Sequence, residues 1–449
     1  MVLLAAVVGG VVLYVRGREQ APGELAGKNP SGDDSTVVLP AIRHRSPVAQ
    51  RGQKEKRAPR PLSYQDVSQL LSSRRSSLRF PVDTLMHDRT PLAVSFSVDT
   101  VLQRRGEQLM RRYRPRYGAI AVLDPLSGRV LSLVSYGNED EPFLGDHLYL
   151  RSLFPAASLF KMVTAAGAIE QGLMDTGSML KQSGRNYTLY RAQLREHLDS
   201  YREITLEHAF VHSINAAFGR LGIYVLGRQG LLSYAHRFGF EQPLPFELEA
   251  EPALFAIGDS TFEFAELASG FNKSTRVSAL FAALMCAAIS EEGLIPRPRL
   301  VDSVVVSGSG EVVYTAATGL WRRAVDAQTA REIRGMMAGV TQTGTARTSF
   351  SLARQTSWLR AVEYGGKTGT VDLDGVGRID WFAGFARDPE ENSRRLALAV
   401  VTVHGPYWTV RSSYLAADLI RTRFGELDRV ARESVAHAAE RVAGGEQDG

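Results

Sequence analysis

The chain has 449 residues, 44% apolar and 22% charged, which fits a globular protein with room for a large core. A formal net charge of +5 is modest and much of it sits in one N-terminal segment, so a nucleic-acid partner is not implied. The single cysteine, Cys286, excludes an intramolecular disulfide, no Cys/His cluster has zinc-site spacing, and neither a Walker loop nor a dinucleotide fingerprint occurs.

Met1–Val15 (MVLLAAVVGGVVLYV) is a run of fifteen uncharged, largely apolar residues. That is short for a membrane span, which needs ~17–25 residues, and fits the apolar core of a signal sequence or an uncleaved signal anchor. No small-residue cleavage site follows it, so the anchor is the expectation. Arg16 and Arg18 follow instead. By the positive-inside rule these charges would hold the bulk of the chain in the cytoplasm. The chemistry argued below needs the opposite side, so the true start is expected upstream, with further basic residues. Residues 16–88 read as a basic flexible linker, with seven Lys or Arg against one Glu between Ile42 and Arg60. A solvated tether accounts for those charges; contact with anionic lipid or envelope polymers is the alternative. A short helix is expected over Ser63–Leu71.

Residues 89–428 carry the globular pattern. Val94–Val98 alternates as a strand, and Ser97–Arg112 is helical with Val101, Leu102 and Leu109 on one face. Gly118–Leu123 and Arg129–Ser135 form a hairpin across Asp124-Pro125-Leu126-Ser127-Gly128. Helical runs fill about 158–292. Short strands are expected at Val301–Val306 and Glu311–Tyr314, and a helix over Asp326–Val340. Strand patterns return at Ala361–Val371, Asp380–Ala386 and Leu396–Val403, with Asp374-Gly375 as a turn. An amphipathic helix over Val410–Phe424 closes the domain, and 429–449 is a polar tail. The fold class is α+β (or α/β): about five mostly antiparallel strands, supplied by distant parts of the chain, flanked by helices, with an inserted all-helical subdomain.

The chemistry gathers around Phe154–Gly172 (FPAASLFKMVTAAGAIEQG). This helix is apolar nearly all round, so it is buried. Pro155 suits its start and Gly172 its stop. Ser158 and Lys161 stand three apart on one face. A lysine in such a helix must be paired or neutral, and a neutral amine beside a hydroxyl activates it as a nucleophile. On spacing alone, a surface lysine beside a capping serine is the favoured reading. Two further motifs lift the pair above coincidence. Ser213-Ile214-Asn215 marks a break between two helices, and Tyr364-Gly365-Gly366-Lys367-Thr368-Gly369-Thr370 lies on a strand whose glycines mark the close approach of a ligand or another backbone.

In this order, the three motifs resemble the penicillin-binding protein transpeptidases, the serine acyltransferases that cross-link peptidoglycan. Ile214 stands where that superfamily often has Asp. The resemblance covers about Pro91 to Gly425, including SVDTVLQRRGEQLM as the entry helix, GVTQTGTA as a loop before the last strands, and Asp380-Trp381-Phe382-Ala383-Gly384-Phe385 as the following strand. It implies that Ser158 attacks the penultimate D-Ala carbonyl and that Lys161 is the base. Ser213, assisted by Lys367, relays a proton to the leaving amine, and Asn215 orients the substrate amide. Lys367, Thr368 and Thr370, with Gly369 between them, hold the terminal carboxylate. The backbone N–H groups of Ser158 and Thr370 form the oxyanion hole. It implies no metal and no organic cofactor. The expected partners are peptidoglycan stem peptides, β-lactam antibiotics, the cell membrane through a single N-terminal anchor, and other cell-wall synthesis proteins, with the catalytic domain in the periplasm or extracytoplasmic space.

Other readings predict other features. A D,D-carboxypeptidase passes the acyl group to water. A β-lactamase needs a carboxylate that activates water, and Glu251 in Glu251-Pro252-Ala253-Leu254 faintly echoes one. A dead scaffold on this fold would not need intact motifs, and a β-lactam sensor usually carries more membrane spans than this sequence shows. An unrelated Ser/His/Asp hydrolase would show a Gly-x-Ser-x-Gly elbow, which is absent. His212 adjoins Ser213 and is expected to pack in the core or at a hinge.

Overall fold

A computed structural model describes residues 60–72, 78–391 and 394–445. The anchor expected at 1–15 and the basic tether through 59 lie outside the described residues. Among the described residues no helix is long and apolar enough to cross a membrane.

The central sheet has five strands in the order Glu363–Leu373, Gly377–Arg387, Arg395–His404, Tyr117–Leu123, Val130–Gly137. Every neighbouring pair is antiparallel. The early hairpin docks beside the last strand, with Ile120 opposite Val400, so distant parts of the chain complete one sheet. Every residue of Tyr117–Leu123 and Arg395–His404 is buried, so both faces of these strands are covered. Ala279–Ser290, a helix without an exposed residue, lies against the three inner strands. Thr100–Tyr113 and Ser412–Gly445 pack on each other and on the sheet. The buried stripe of Thr100–Tyr113 is Leu102, Gly106, Leu109 and Met110, spaced one and two turns apart. Val101 points about a quarter-turn away from Leu102 and is 42% exposed, so it does not share their face as expected.

Three boundaries differ from the sequence reading. The linker does not reach Asp88, because Tyr64–Ser72 and Val82–His87 fold onto the domain. Val82–His87 opens a second, four-stranded sheet with Thr90–Phe96, Val301–Val306 and Val312–Thr315. Its hairpin turns on Asp88 and Arg89, both with positive φ (44° and 67°), a conformation usually announced by Asn-Gly or Asp-Gly. The inserted subdomain is not all-helical: Met179–Gln182 and Arg202–Thr205 pair antiparallel within it. The closing helix runs on to Gly445, so most of the polar tail is helical.

Candidate active site

The segment that carries Ser158 is not one helix from Pro155. Phe154–Pro155 is a two-residue strand paired with Arg276–Val277. Ala157 then turns the chain with φ +49°, a left-handed conformation that costs an alanine about 1–3 kcal/mol and that clusters at functional sites. Ala157–Phe160 is a 3₁₀ turn, and the α-helix begins only at Lys161. Residues three apart eclipse in a 3₁₀ turn. This places Lys161 Nζ 2.7 Å from Ser158 Oγ.

Lys161 is fully buried. Besides Ser158, its nitrogen meets Asn215 Oδ1 at 2.8 Å and the carbonyl of Ser269 at 2.5 Å. No carboxylate is among these partners. Burial first, and then the charge of Lys367, push its pKa well below the ordinary lysine value. A neutral amine has two N–H groups and one lone pair. In that form the two carbonyl-type acceptors can take the N–H groups, which leaves the lone pair for the serine hydroxyl.

Ser213 sits between the helices Leu206–Val211 and Asn215–Leu221, and its own φ is +56°. Its Oγ accepts from Lys367 Nζ at 2.9 Å, and that nitrogen also donates to the Thr368 carbonyl at 3.2 Å. Lys367 is fully buried too, and desolvation lowers its pKa from 10.5 to about 7. Phe210 and Phe218, on the two helices that flank Ser213, face Lys367 and Lys161 at 5.6 Å and form part of the desolvating wall. Asn215 is committed on both sides: Oδ1 to Lys161, and Nδ2 to the Tyr187 carbonyl at 3.0 Å. One Nδ2 proton remains uncommitted by these two contacts.

Glu363–Leu373 is an edge strand, so alternate backbone N–H groups along it lack a ladder partner. Gly369 brings that edge to Ser158: a Cβ there would lie 3.1 Å from the Ala157 Cβ and 3.4 Å from Ser158 N. The approach expected at Gly365 is to another backbone, since a Cβ would lie 2.6 Å from Ala338 N of the neighbouring helix. Trp381 Nε1 donates to the Pro155 carbonyl at 2.8 Å and ties the next strand to the nucleophile turn.

The three motifs therefore converge on one site. The family model of the penicillin binding protein transpeptidase domain matches residues 118–420. The chain belongs to the penicillin-binding protein transpeptidases. It is 26% identical over 347 residues to the peptidoglycan D,D-transpeptidase PbpA of Mycobacterium tuberculosis, covering 70% of this chain and 67% of that protein. It is 24% identical over 318 residues to stage V sporulation protein D of Bacillus subtilis, covering 66% and 47%. Among solved structures, the D,D-transpeptidase domain of a peptidoglycan glycosyltransferase from Eggerthella lenta aligns with a TM-score of 0.61 at 24% identity, over 74% of this chain and 83% of that one. Penicillin-binding protein A from M. tuberculosis, as a ceftriaxone acyl-enzyme, aligns at 0.60 and 22%, over 74% and 79%.

Some residues of this transpeptidase site were not singled out from sequence. Ser269 contributes only its carbonyl, and Gly270 only its lack of a side chain. Thr345, in the turn after the helix Ala327–Gln342, shares a 2.6 Å hydroxyl contact with Thr368; the first half of GVTQTGTA ends that helix and is not the loop that the sequence reading had there. His212 caps the helix Leu206–Val211, and its ring packs 4.4 Å from that of His208. Among the described residues no group of three His, Cys, Asp or Glu could hold a metal.

Glu251 is engaged elsewhere. Its carboxylate accepts from Arg151 Nε at 2.9 Å and from the Ser152 N–H at 2.8 Å. That is a structural anchor for the segment leading into the nucleophile turn. Glu251→Gln is accordingly expected to leave the lifetime of a β-lactam adduct on Ser158 unchanged, as followed by intact-protein mass. A longer lifetime in this variant would make Glu251 the deacylating base.

Proposed function

We propose that this chain is a peptidoglycan D,D-transpeptidase that works through an acyl-enzyme on Ser158. The observation that carries the proposal is the fully buried Lys161, 2.7 Å from Ser158, with its other two contacts to uncharged acceptors. Lys161 takes the proton of Ser158 as its oxygen attacks the carbonyl of the penultimate D-Ala. The carbonyl oxygen, now anionic, is received by the backbone N–H groups of Ser158 and Thr370. Asn215 holds Lys161 and presents its remaining N–H to the substrate amide. Ser213, bridged to Lys367, passes a proton to the leaving D-Ala amine. Lys367, Thr368 and Thr370 receive the terminal carboxylate, with Gly369 keeping the strand close to the nucleophile. An acceptor amine then attacks the acyl-enzyme, the same groups act in reverse, and the cross-link forms. β-Lactams enter by the same route as mimics of the acyl-D-Ala-D-Ala end.

The proposal includes membrane attachment through Met1–Val15, with the catalytic domain in the extracytoplasmic space, where stem peptides and cell-wall synthesis partners meet it. The apolar run supports this, and fractionation of native membranes before and after its deletion tests it. The reaction itself is tested by mass analysis of products from a pentapeptide stem plus an amine acceptor. Cross-linked dimer lacking one D-Ala is expected. Tetrapeptide alone would make the enzyme a carboxypeptidase.

Lys367 adds a pH dependence. Because its folded pKa is about 7, its ammonium, and with it the grip on a carboxylate, is lost as pH rises through that value. Acylation by carboxylate-bearing substrates should fall across this range relative to esters of the same compounds. Between about pH 7 and 10.5 the unfolded chain holds the proton that the folded chain lacks, so this group makes the fold more stable as pH rises. Lys367→Met should abolish both effects, and a pH profile unchanged in that variant would remove Lys367 from the carboxylate site.

A further inference from the structure

Asp380 is a buried carboxyl that the mechanism above leaves idle. It stands opposite Thr370 in the ladder between the two last-hairpin strands and is 4% exposed. Its two oxygens have different partners. Oδ2 accepts the backbone N–H of Ser412, at the start of the closing helix, at 2.6 Å. Oδ1 accepts the hydroxyl of Thr370 at 3.3 Å.

The charges around it are few. Arg411 precedes Ser412. Arg378, two residues back on the same strand, is paired with Asp372 at 2.7 Å. His404, on the neighbouring strand, reaches Ser412 through the Thr402 hydroxyl by two 2.8 Å contacts, and burial with Arg411 and Arg378 holds its pKa at about 4, so it is neutral. Lys367, on the Thr370 strand, is turned to Ser213 and the Thr368 carbonyl. Burial raises Asp380 to about 6, against the pull of the Ser412 N–H and Arg411.

We infer that Asp380 is a positioning residue that sets the direction of the Thr370 hydroxyl and thereby tunes recognition of the substrate's terminal carboxylate. The inference rests on the reading that Thr370 meets that carboxylate. An ionised carboxylate can only accept. It takes the one proton of Thr370, whose hydroxyl then shows the substrate carboxylate only lone pairs. When Asp380 is protonated, the Ser412 N–H keeps Oδ2 as the acceptor, so the proton sits on Oδ1 and is donated to Thr370. The proton of Thr370 is then free for the substrate. Asparagine at this position has one orientation available: its oxygen faces the Ser412 N–H and its NH₂ faces Thr370. Asp380→Asn therefore fixes the arrangement of the protonated acid at every pH.

The test uses the full chain and two probes, penicillin G and its methyl ester. The ratio of their rates of Ser158 acylation isolates the carboxylate contact, and it is read from below to above pH 6. In the wild type the ratio should fall with rising pH about ten- to a hundredfold more than in Asp380→Asn, the scale of one hydrogen bond to a charged group. The titration of Lys367 is common to both and cancels. Thr370→Val removes the hydroxyl, so it should flatten the profile as well, and adding Asp380→Asn to it should change nothing more. Superimposable profiles in wild type and Asp380→Asn would overturn the inference. So would a full effect of Asp380→Asn in the Thr370→Val background. Should Asp380→Asn fail to fold, the comparison of wild type with Thr370→Val stands alone, and matching profiles there overturn it equally. Failure of the wild type to form any Ser158 adduct would instead overturn the function on which the inference rests.

Discussion

Replacing Lys161 by Met should abolish acylation of Ser158 while leaving the fold in place. Met keeps the length and volume of the stem, so the change removes the base without opening a cavity. General-base transfer contributes ~10²–10⁴-fold, and the acylation rate should fall by that factor. The fold should lose only a few kcal/mol, because the Asn215 amide oxygen and the Ser269 carbonyl each lose one neutral hydrogen bond, worth about 1 kcal/mol net plus the penalty of an unmet acceptor. Lys161→Arg should rescue nothing. A guanidinium stays charged at neutral pH, and its fork does not fit a site whose acceptors match an amine. Acylation measured as adduct mass against time, beside a melting curve, checks both halves. Wild-type acylation in either variant would remove Lys161 from the mechanism.

Gly270→Ala should damage stability and acylation together. Gly270 ends the helix Thr261–Ser269 with φ +65°, where an alanine pays for the left-handed conformation. The site is also crowded. A Cβ there would lie 2.6 Å from the carbonyl carbon of Ala157 and 3.1 Å from Ser158 Cα. Both neighbours are backbone, so nothing flexible can move aside. The Ala157 turn must shift, and it carries the nucleophile. A loss of about 3 kcal/mol is expected, a fall in Tm of about 4 °C for a domain of this size. A displacement near 1 Å at the nucleophile can cost about 10²-fold in rate. Unchanged melting and unchanged acylation in Gly270→Ala would mean that the helix end and the nucleophile turn are not packed as described.

Gly270 also shows where the sequence stopped being legible. Ser158, Lys161, Ser213 and Lys367 were readable because side-chain chemistry at fixed spacing is written in residue type. The burial of Lys161 followed from the apolar residues on every side of its helix. Its partner Ser269 was not readable, because the contact is made by a carbonyl that every residue owns. Ala157 gave no sign of its positive φ, since alanine is not a residue chosen for that conformation. The hairpin Val82–His87/Thr90–Phe96 was hidden for the same reason, by an Asp-Arg turn where glycine or asparagine is the usual signal. Asp380 looked like part of a strand motif. Its chemistry depends on Thr370 and Ser412, brought to it by ladder register and by the start of a helix thirty-two residues away.

The central claim is that Ser158 is the acylated nucleophile of a transpeptidase site. The most direct measurement is the mass of the Ser158 peptide after incubation with penicillin G at neutral pH. An increase equal to the whole antibiotic is expected on that peptide, absent in Ser158→Ala and persisting for many minutes, because the opened ring keeps its leaving amine tethered and Glu251 is committed to Arg151 and Ser152. An adduct on another residue, or turnover of the antibiotic within seconds, would contradict it.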